Sequence, residues 1–134
     1  MIELGILADD LTGGMMVASL LEREGVDCPL VTSVDELESL ANSTATAVVV
    51  ARKIRLIPAK DARKEAIKTV QALKSIGCKR FYYKYCATFD STSQGNIGPI
   101  AEAMMDEMDA SRTIFCPAFP EYTCLLYTSD AADD

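Results

Sequence analysis

Short apolar segments alternate with amphipathic ones along the chain, and this alternation limits the fold more than any other feature. The segment TAVVVA (residues 46–51) is rich in β-branched residues, as expected of a strand that is buried on both faces. The stretch from Pro58 to Gly77 places its apolar residues on one helical face and ends in glycine, which predicts a helix. Strands that alternate with helices form βαβ units. We therefore predict an α/β fold, a doubly wound (Rossmann-like) parallel sheet with helices on both faces.

Five segments are predicted as strands and four as helices. The strand segments are IELGILA, DCPLVTS, TAVVVA, RFYYKYCA and TIFCPA (residues 2–8, 27–33, 46–51, 80–87 and 113–118). The helical segments are MMVASLLEREG, VDELESLA, PAKDARKEAIKTVQALKSIG and NIGPIAEAMMDEM (residues 15–25, 34–41, 58–77 and 96–108). Because no crossover helix follows the fifth strand segment, we expect the sheet to be truncated at its C-terminal edge.

Charge and hydropathy argue against several classes of partner. The 134-residue chain has a net charge of −7 and no run of basic residues, which argues against nucleic-acid binding. Its apolar runs are shorter than the ~20 residues that span a bilayer, so no membrane partner is expected. No basic segment precedes the first apolar run, and the five cysteines are scattered as reduced thiols usually are. These features favour a cytoplasmic protein.

The chain contains no histidine, the commonest acid–base side chain, so any catalysis must rest on carboxylates, lysine, hydroxyl groups or backbone dipoles. Such groups follow three of the predicted strands. They are Asp9, Asp10, Thr12 and Gly13 after the first strand, Arg52, Lys53 and Arg55 after the third, and Lys84 with residues 88–98 after the fourth. Parallel strands bring their carboxyl ends to one edge of a sheet, where ligands bind. The sequence therefore predicts a site for a polyhydroxylated or anionic ligand.

Each cluster also has a purely structural interpretation. Asp10 is suited to cap a helix, Arg55 to be a solvated loop charge, and residues 90–92 to form turns. Convergence on one edge favours the functional interpretation. In that interpretation Asp9 or Asp10 is the general base for a hydroxyl, and Arg55 and Lys84 bind a carboxylate or phosphate.

Two known motif classes fit the sequence poorly. It contains no G-x-x-x-x-G-K-[ST], so no Walker-type phosphate loop is predicted. The segment GILADD (residues 5–10) resembles the acidic pair of receiver domains. Those domains need an aspartate at the end of the third strand, where this chain has VVVARK (residues 48–53). A receiver domain is therefore disfavoured.

Four longer segments resemble the N-terminal domain of the four-carbon acid sugar kinases, the family of 3-oxo-tetronate, D-threonate and D-erythronate kinases. They are LADDLTGG, VVVARKIRLIPAKDA, KYCATFDSTSQGNIGP and FCPAFPE (residues 7–14, 48–62, 84–99 and 115–121). The resemblance implies an ATP-dependent kinase that phosphorylates a hydroxyl of a four-carbon sugar acid. It implies ATP and Mg²⁺ as cofactors of the intact enzyme, held mainly by a C-terminal domain and not by this chain. A homo-oligomeric intact enzyme is also expected.

The resemblance assigns site residues to this chain. Asp10 is expected to be catalytic. The expected substrate-binding residues are Asp9, Asp10, Arg55, Lys84, Thr88, Phe89, Asp90 and Ser91. Thr12, Gly13, Asn96 and Gly98 are expected at the starts of two helices, where they support the site. No metal ligand is expected. The chain departs from the family pattern at Met16, Ile54, Leu56 and Ala87, where polar residues are usual.

The C-terminal segment breaks the pattern of the rest of the chain. We expect residues 1–121 to be an incomplete sugar-acid-binding domain, and residues 122–134 to be a non-native read-through tail without packing partners. Two alternatives to a kinase remain at this stage. One is a non-catalytic module that binds a small hydroxy acid, and the other is an unstable gene fragment without activity.

Overall fold

The predicted alternation of strands and helices is present in the fold. The computed structural model describes residues 1–40, 42–87, 89 and 92–119. The strands within this part of the chain are β1 (Leu4–Ala8), β2 (Leu30–Val31), β3 (Ala47–Ala51) and β4 (Arg80–Lys84). The α-helices are α1 (Leu11–Arg23), α2 (Ala59–Ser75) and α3 (Ile97–Met108). A 3₁₀ helix, Val34–Leu40, forms where a short helix was predicted.

The strands form one parallel sheet in the order β2-β3-β1-β4. At the carboxyl end of β1, Ala8 is paired with Ala51 of β3 on one side and with Lys84 of β4 on the other. The residues that follow these three strands therefore lie at one edge of the sheet, which we call the carboxyl edge. This register confirms the predicted parallel arrangement.

Helices cover both faces of the sheet. On one face Ile6 and Val49 pack with Ala18 of α1. On the other face Leu7 packs with Val70 of α2 and Ile100 of α3. Side chains on a strand alternate between faces, so neighbouring residues of β1 enter different cores. The doubly wound arrangement is therefore confirmed.

Two helix ends match their sequence signals. Gly25 and Gly77 follow α1 and α2 in the left-handed region, with φ of 80° and 102°. Glycine adopts this conformation without a steric penalty, so each residue ends its helix as predicted.

The predicted fifth strand is not formed. Residues 113–118 have no strand pairing within the described part of the chain. The Cys116 backbone N–H donates to the Tyr85 hydroxyl (3.0 Å) instead of to a neighbouring strand, and Pro117 has no N–H to donate. Ile114 is 90% exposed, so this apolar side chain of the segment is not buried against the sheet.

None of the described helices combines the length and apolar character needed to cross a bilayer. The predicted boundary at residue 121 and the predicted tail both lie outside the described residues.

Candidate functional site

Backbone hydrogen bonds join the segments at the carboxyl edge. The Asp9 N–H donates to the Lys84 carbonyl (3.2 Å). The Asp9 carbonyl accepts from the N–H groups of Ile54 (3.1 Å) and Arg55 (3.2 Å). The residue directly after β1 thus fixes the start of the loop after β3. This explains how Asp9 and Arg55, far apart in sequence, come together.

The Asp9 side chain is an ion-pair partner enclosed by the fold. It is 1% exposed, and its Oδ1 accepts from Arg55 Nε (3.2 Å) and Nη2 (2.6 Å). Its Oδ2 accepts from the Tyr83 hydroxyl (3.2 Å). The bond to Asp9 raises the pKa of Arg55. Burial, together with the Asp9 charge, raises the pKa of Tyr83 well above 10.0, so its hydroxyl remains a donor.

The two carboxylate oxygens of Asp10 contact different partners. Its Oδ1 accepts from the Gly13 N–H (2.7 Å) and caps α1. Its Oδ2 lies 3.1 Å from Arg55 Nη1, and both side chains are about one third exposed. A Cβ on Gly13 would lie 2.7 Å from Asp10 Oδ1, so glycine leaves the space that the capping carboxylate occupies. The structural and functional interpretations of Asp10 are therefore compatible.

Lys84 adds a second positive charge to this group. Burial lowers the pKa of Lys84, and Asp9, Arg55 and Asp10 all act on it electrostatically. Its ammonium donates to the Tyr85 carbonyl, and an ammonium has three donors. Two carboxylates, one guanidinium and one ammonium give the cluster no net charge. We call Asp9, Asp10, Arg55 and Lys84 the edge cluster.

An open cavity of about 370 Å³ adjoins the edge cluster. Its polar and thiol lining residues are Asp9, Arg55, Cys86, Thr92, Gln94 and Asn96. The cavity offers both donors and acceptors beside the ion pair, as a ligand with several hydroxyl groups requires.

The structure brings together five of the residues singled out in the sequence. They are Asp9, Asp10, Gly13, Arg55 and Lys84. Two others, Thr12 and Gly98, lie exposed in the first turns of α1 and α3. Thr88, Asp90 and Ser91 lie outside the described residues.

Two residues have surroundings that the sequence did not suggest. Phe89, expected at the substrate, packs against Tyr85 and Phe115, with ring centroids 5.3 and 6.4 Å away. Asn96 occupies the N-cap position of α3, but its side chain makes no capping bond and donates to the loop that carries Arg55.

Tyr83 is a site residue that the sequence analysis missed. The alternation in FYYKY (residues 81–85) places Tyr83 and Lys84 on opposite faces of the sheet, so the sequence carried no signal that Tyr83 belongs to the site. Only the packed fold shows that the Tyr83 hydroxyl lies beside Asp9. Within the described part of the chain, no group of three or more His, Cys, Asp or Glu residues is arranged to hold a metal ion.

This chain is similar in sequence to one known protein family and to several curated proteins. Residues 4–128 match the model of the family described as Sugar-binding N-terminal domain. A 3-oxo-tetronate kinase of Burkholderia multivorans is 43% identical over 124 residues, which are 92% of this chain and 28% of the relative. A 3-oxo-tetronate kinase of Cupriavidus necator is 44% identical over 119 residues, 88% of this chain and 28% of the relative. The chain thus spans about 28% of the length of these curated relatives.

Two solved structures are similar to the fold. A Salmonella typhimurium protein described as a tRNA synthase has a TM-score of 0.78 and 37% identity, over 90% of this chain and 28% of its own. A domain of unknown function from Bordetella bronchiseptica has a TM-score of 0.67 and 27% identity, over 78% of this chain and 25% of its own. The Bordetella structure is a domain-swapped dimer with bound citrate.

Proposed function

This chain belongs to the family of sugar-binding N-terminal domains, and we propose that it is the substrate-binding part of an ATP-dependent kinase. The substrate is a four-carbon sugar acid of the 3-oxo-tetronate type, phosphorylated on a hydroxyl group. The observation that carries this proposal is the edge cluster, in which two carboxylates, a guanidinium and an ammonium meet beside a cavity. The curated kinases that cover most of this chain support it.

The edge cluster has the donors and acceptors that a hydroxy acid needs. Arg55 has five N–H donors, and the structure directs three of them to Asp9 and Asp10. In this proposal the ligand carboxylate accepts from the remaining Arg55 donors and from the ammonium of Lys84. Because Arg55 is shared with two aspartates, Lys84 contributes the less neutralised positive charge.

Asp10 is the proposed general base. Both aspartates have donors on each carboxylate oxygen, but Asp9 is buried whereas Asp10 is about one third exposed and borders solvent. A substrate hydroxyl beside Asp10 would donate its hydrogen bond to that carboxylate. When the hydroxyl becomes a phosphate ester, its O–H bond breaks and the proton moves to Asp10.

ATP and Mg²⁺ belong, in this proposal, to the longer protein and not to this chain. Mg²⁺ takes oxygen ligands in octahedral geometry, whereas both carboxylates of the edge cluster are bound to Arg55. The cluster does not fit a magnesium ion. The role assigned to this chain is to bind and orient the acid and to accept the hydroxyl proton.

A function in RNA recognition, suggested by the description of the Salmonella structure, is less well supported. The net charge of this chain is −7, and RNA-binding surfaces are basic. Citrate in the Bordetella structure is a hydroxy acid, which fits the proposed ligand class. We further propose a cytoplasmic, homo-oligomeric longer protein, and a domain that ends near residue 121.

Isothermal titration of the purified chain with D-erythronate tests the binding proposal. We expect saturable binding that Arg55→Ala weakens by about tenfold or more. Arg63→Ala is the matched control, because Arg63 also pairs with two carboxylates, those of Glu102 and Asp106, between α2 and α3. Equal affinity in all three proteins, or no binding at all, would contradict the proposal.

The kinase part requires the longer protein. We expect ATP turnover that depends on a tetronate-type acid and yields its phosphate ester, detected by mass spectrometry. Acid binding without turnover would instead identify a non-catalytic hydroxy-acid-binding module.

A further inference from the structure

Asn96 is a buried side chain whose hydrogen bonds serve a distant segment. Its Nδ2 donates to the carbonyl oxygens of Ile54 (2.9 Å), Arg55 (3.1 Å) and Ile57 (2.7 Å). The residue is 5% exposed. Although it stands at the N-cap of α3, it makes no side-chain capping bond there. The amide thus binds the loop after β3 and not its own helix.

The contacts of this loop explain why an amide is needed. All three partners of Asn96 are carbonyl oxygens, so the side chain must donate. Three acceptors share two hydrogens, so one hydrogen is bifurcated. Aspartate would place carboxylate oxygen against these carbonyls, and alanine would leave them without this donor. Glutamine also presents two hydrogens from one nitrogen, but its side chain is one methylene longer.

The same loop is held from its other side by Asp9. The Asp9 carbonyl accepts from the N–H groups of Ile54 and Arg55, while Asn96 binds the carbonyls of those two residues. The backbone on both sides of the Arg55 Cα is therefore fixed. The direction in which the Arg55 side chain leaves the loop follows from these bonds.

We propose that Asn96 is a positioning residue for the edge cluster. By binding the carbonyls of residues 54–57, it holds the Arg55 guanidinium against Asp9 and Asp10. Its effect on ligand affinity rests on the proposed function, whereas its effect on the Arg55–Asp9 contact does not.

The Arg55–Asp9 contact is tested by NMR of the ¹⁵N-labelled 134-residue chain. The Arg55 Nε–H donates to a buried carboxylate. Its signal should therefore lie away from the position of a solvated arginine, and its hydrogen should exchange slowly with water. In Asn96→Ala we expect this signal to move to the position of a solvated arginine. The matched control is Thr69→Val, which removes a buried hydroxyl that donates to the Glu65 carbonyl within α2 (2.7 Å). The control should leave the signal unchanged, and an unchanged signal in Asn96→Ala would overturn the proposal.

Titration with D-erythronate supplies the second measurement. We expect Asn96→Ala to raise Kd about tenfold, the change that corresponds to losing one well-placed hydrogen bond. Thr69→Val should lower the melting temperature and leave Kd within about twofold. Unchanged affinity in Asn96→Ala would contradict a positioning role. If the unaltered chain binds no acid, the proposed function fails, and the NMR result alone decides the role of Asn96.

A measurement on the unaltered chain covers the case in which Asn96→Ala does not fold. The Asn96 side-chain amide hydrogens should exchange slowly with water, whereas those of exposed Gln94 should exchange fast. Fast exchange at Asn96 would show that the bonds to the loop are absent and would overturn the proposal.

Discussion

Gly13→Ala should destabilise the protein, although the same change in an ordinary helix is stabilising. Replacing glycine by alanine within a helix gains about 1 kcal/mol. Here the new Cβ would lie 2.7 Å from Asp10 Oδ1, so the carboxylate must move and lose the bond from the Gly13 N–H. A lost N-cap costs about 1 kcal/mol. The loosened, partly exposed contact of Asp10 with Arg55 costs about 0.5 kcal/mol more.

The net expectation for Gly13→Ala is a loss of about 0.5 kcal/mol in the free energy of unfolding, or roughly 2 °C in Tm. Thr12→Ala is the matched control, because Thr12 is exposed in the same turn and alanine gains about 0.5 kcal/mol there. Urea denaturation followed by circular dichroism measures both variants.

A double-mutant cycle isolates the cause. In an Asp10→Ala background no carboxylate stands in the way, so adding Gly13→Ala should stabilise the protein by about 1 kcal/mol. The predicted coupling between the two positions is therefore about 1.5 kcal/mol. If Gly13→Ala stabilises the unaltered background by the same amount, the steric reasoning is refuted.

Three further predictions concern ionisable side chains. Tyr83→Phe should cost about 1 kcal/mol, because Asp9 Oδ2 loses a donor, and thermal unfolding measures this loss. Because burial lowers the pKa of Lys84, affinity for D-erythronate should fall as pH rises toward 10.5, and Lys84→Arg should abolish the decline in titrations across that range. Burial raises the pKa of Cys28 and Cys78 to about 11, so both thiols should resist labelling by thiol reagents until the protein unfolds. The neutral thiols of Cys28 and Cys78 contribute fully to the free energy of unfolding below pH 9.0, and this contribution is lost as the pH rises toward about 11. Urea denaturation at the two ends of this pH range should detect the loss.

The elements of the sheet were predictable because their signals are local. Buried β-branched residues and helical periodicity identified β3 and α2 to within a few residues. The apolar segment at residues 113–118 produced a wrong prediction, because strand formation depends on pairing as well as on composition. Its backbone N–H at Cys116 found a tyrosine hydroxyl instead of a neighbouring strand.

The members of the edge cluster were predictable, but their partnerships were not. Position after a strand indicated Asp9 and Arg55, since parallel strands share a carboxyl edge. The sequence carried no sign that Asp9 would be enclosed by Arg55 and Tyr83, or that Asn96 would bind a loop some forty residues before it. Such contacts depend on three-dimensional packing, which propensity and periodicity do not record.

Replacing the two adjacent aspartates by asparagine should separate stability from function. Asp9→Asn removes a buried charge that pairs with Arg55, and breaking a fully buried pair costs about 3–5 kcal/mol. Arg55 is about one third exposed, so solvent screening reduces this to about 2 kcal/mol. Asn96 and the Asp9 backbone still hold the loop, so the variant should fold with a lower Tm.

Asp10→Asn should have the opposite profile. Asparagine caps helices about as well as aspartate, so only the partly exposed contact with Arg55 is lost, and the free energy of unfolding should fall by no more than about 0.5 kcal/mol. Removing a negative charge beside an anionic ligand should leave the Kd for D-erythronate equal or lower. In the longer protein, an amide cannot accept the hydroxyl proton, and kcat should fall by about 10²–10⁴. Thermal unfolding, titration and steady-state kinetics measure these three effects. Full activity of Asp10→Asn would contradict the role of Asp10 as general base and leave it only the structural contacts with Gly13 and Arg55.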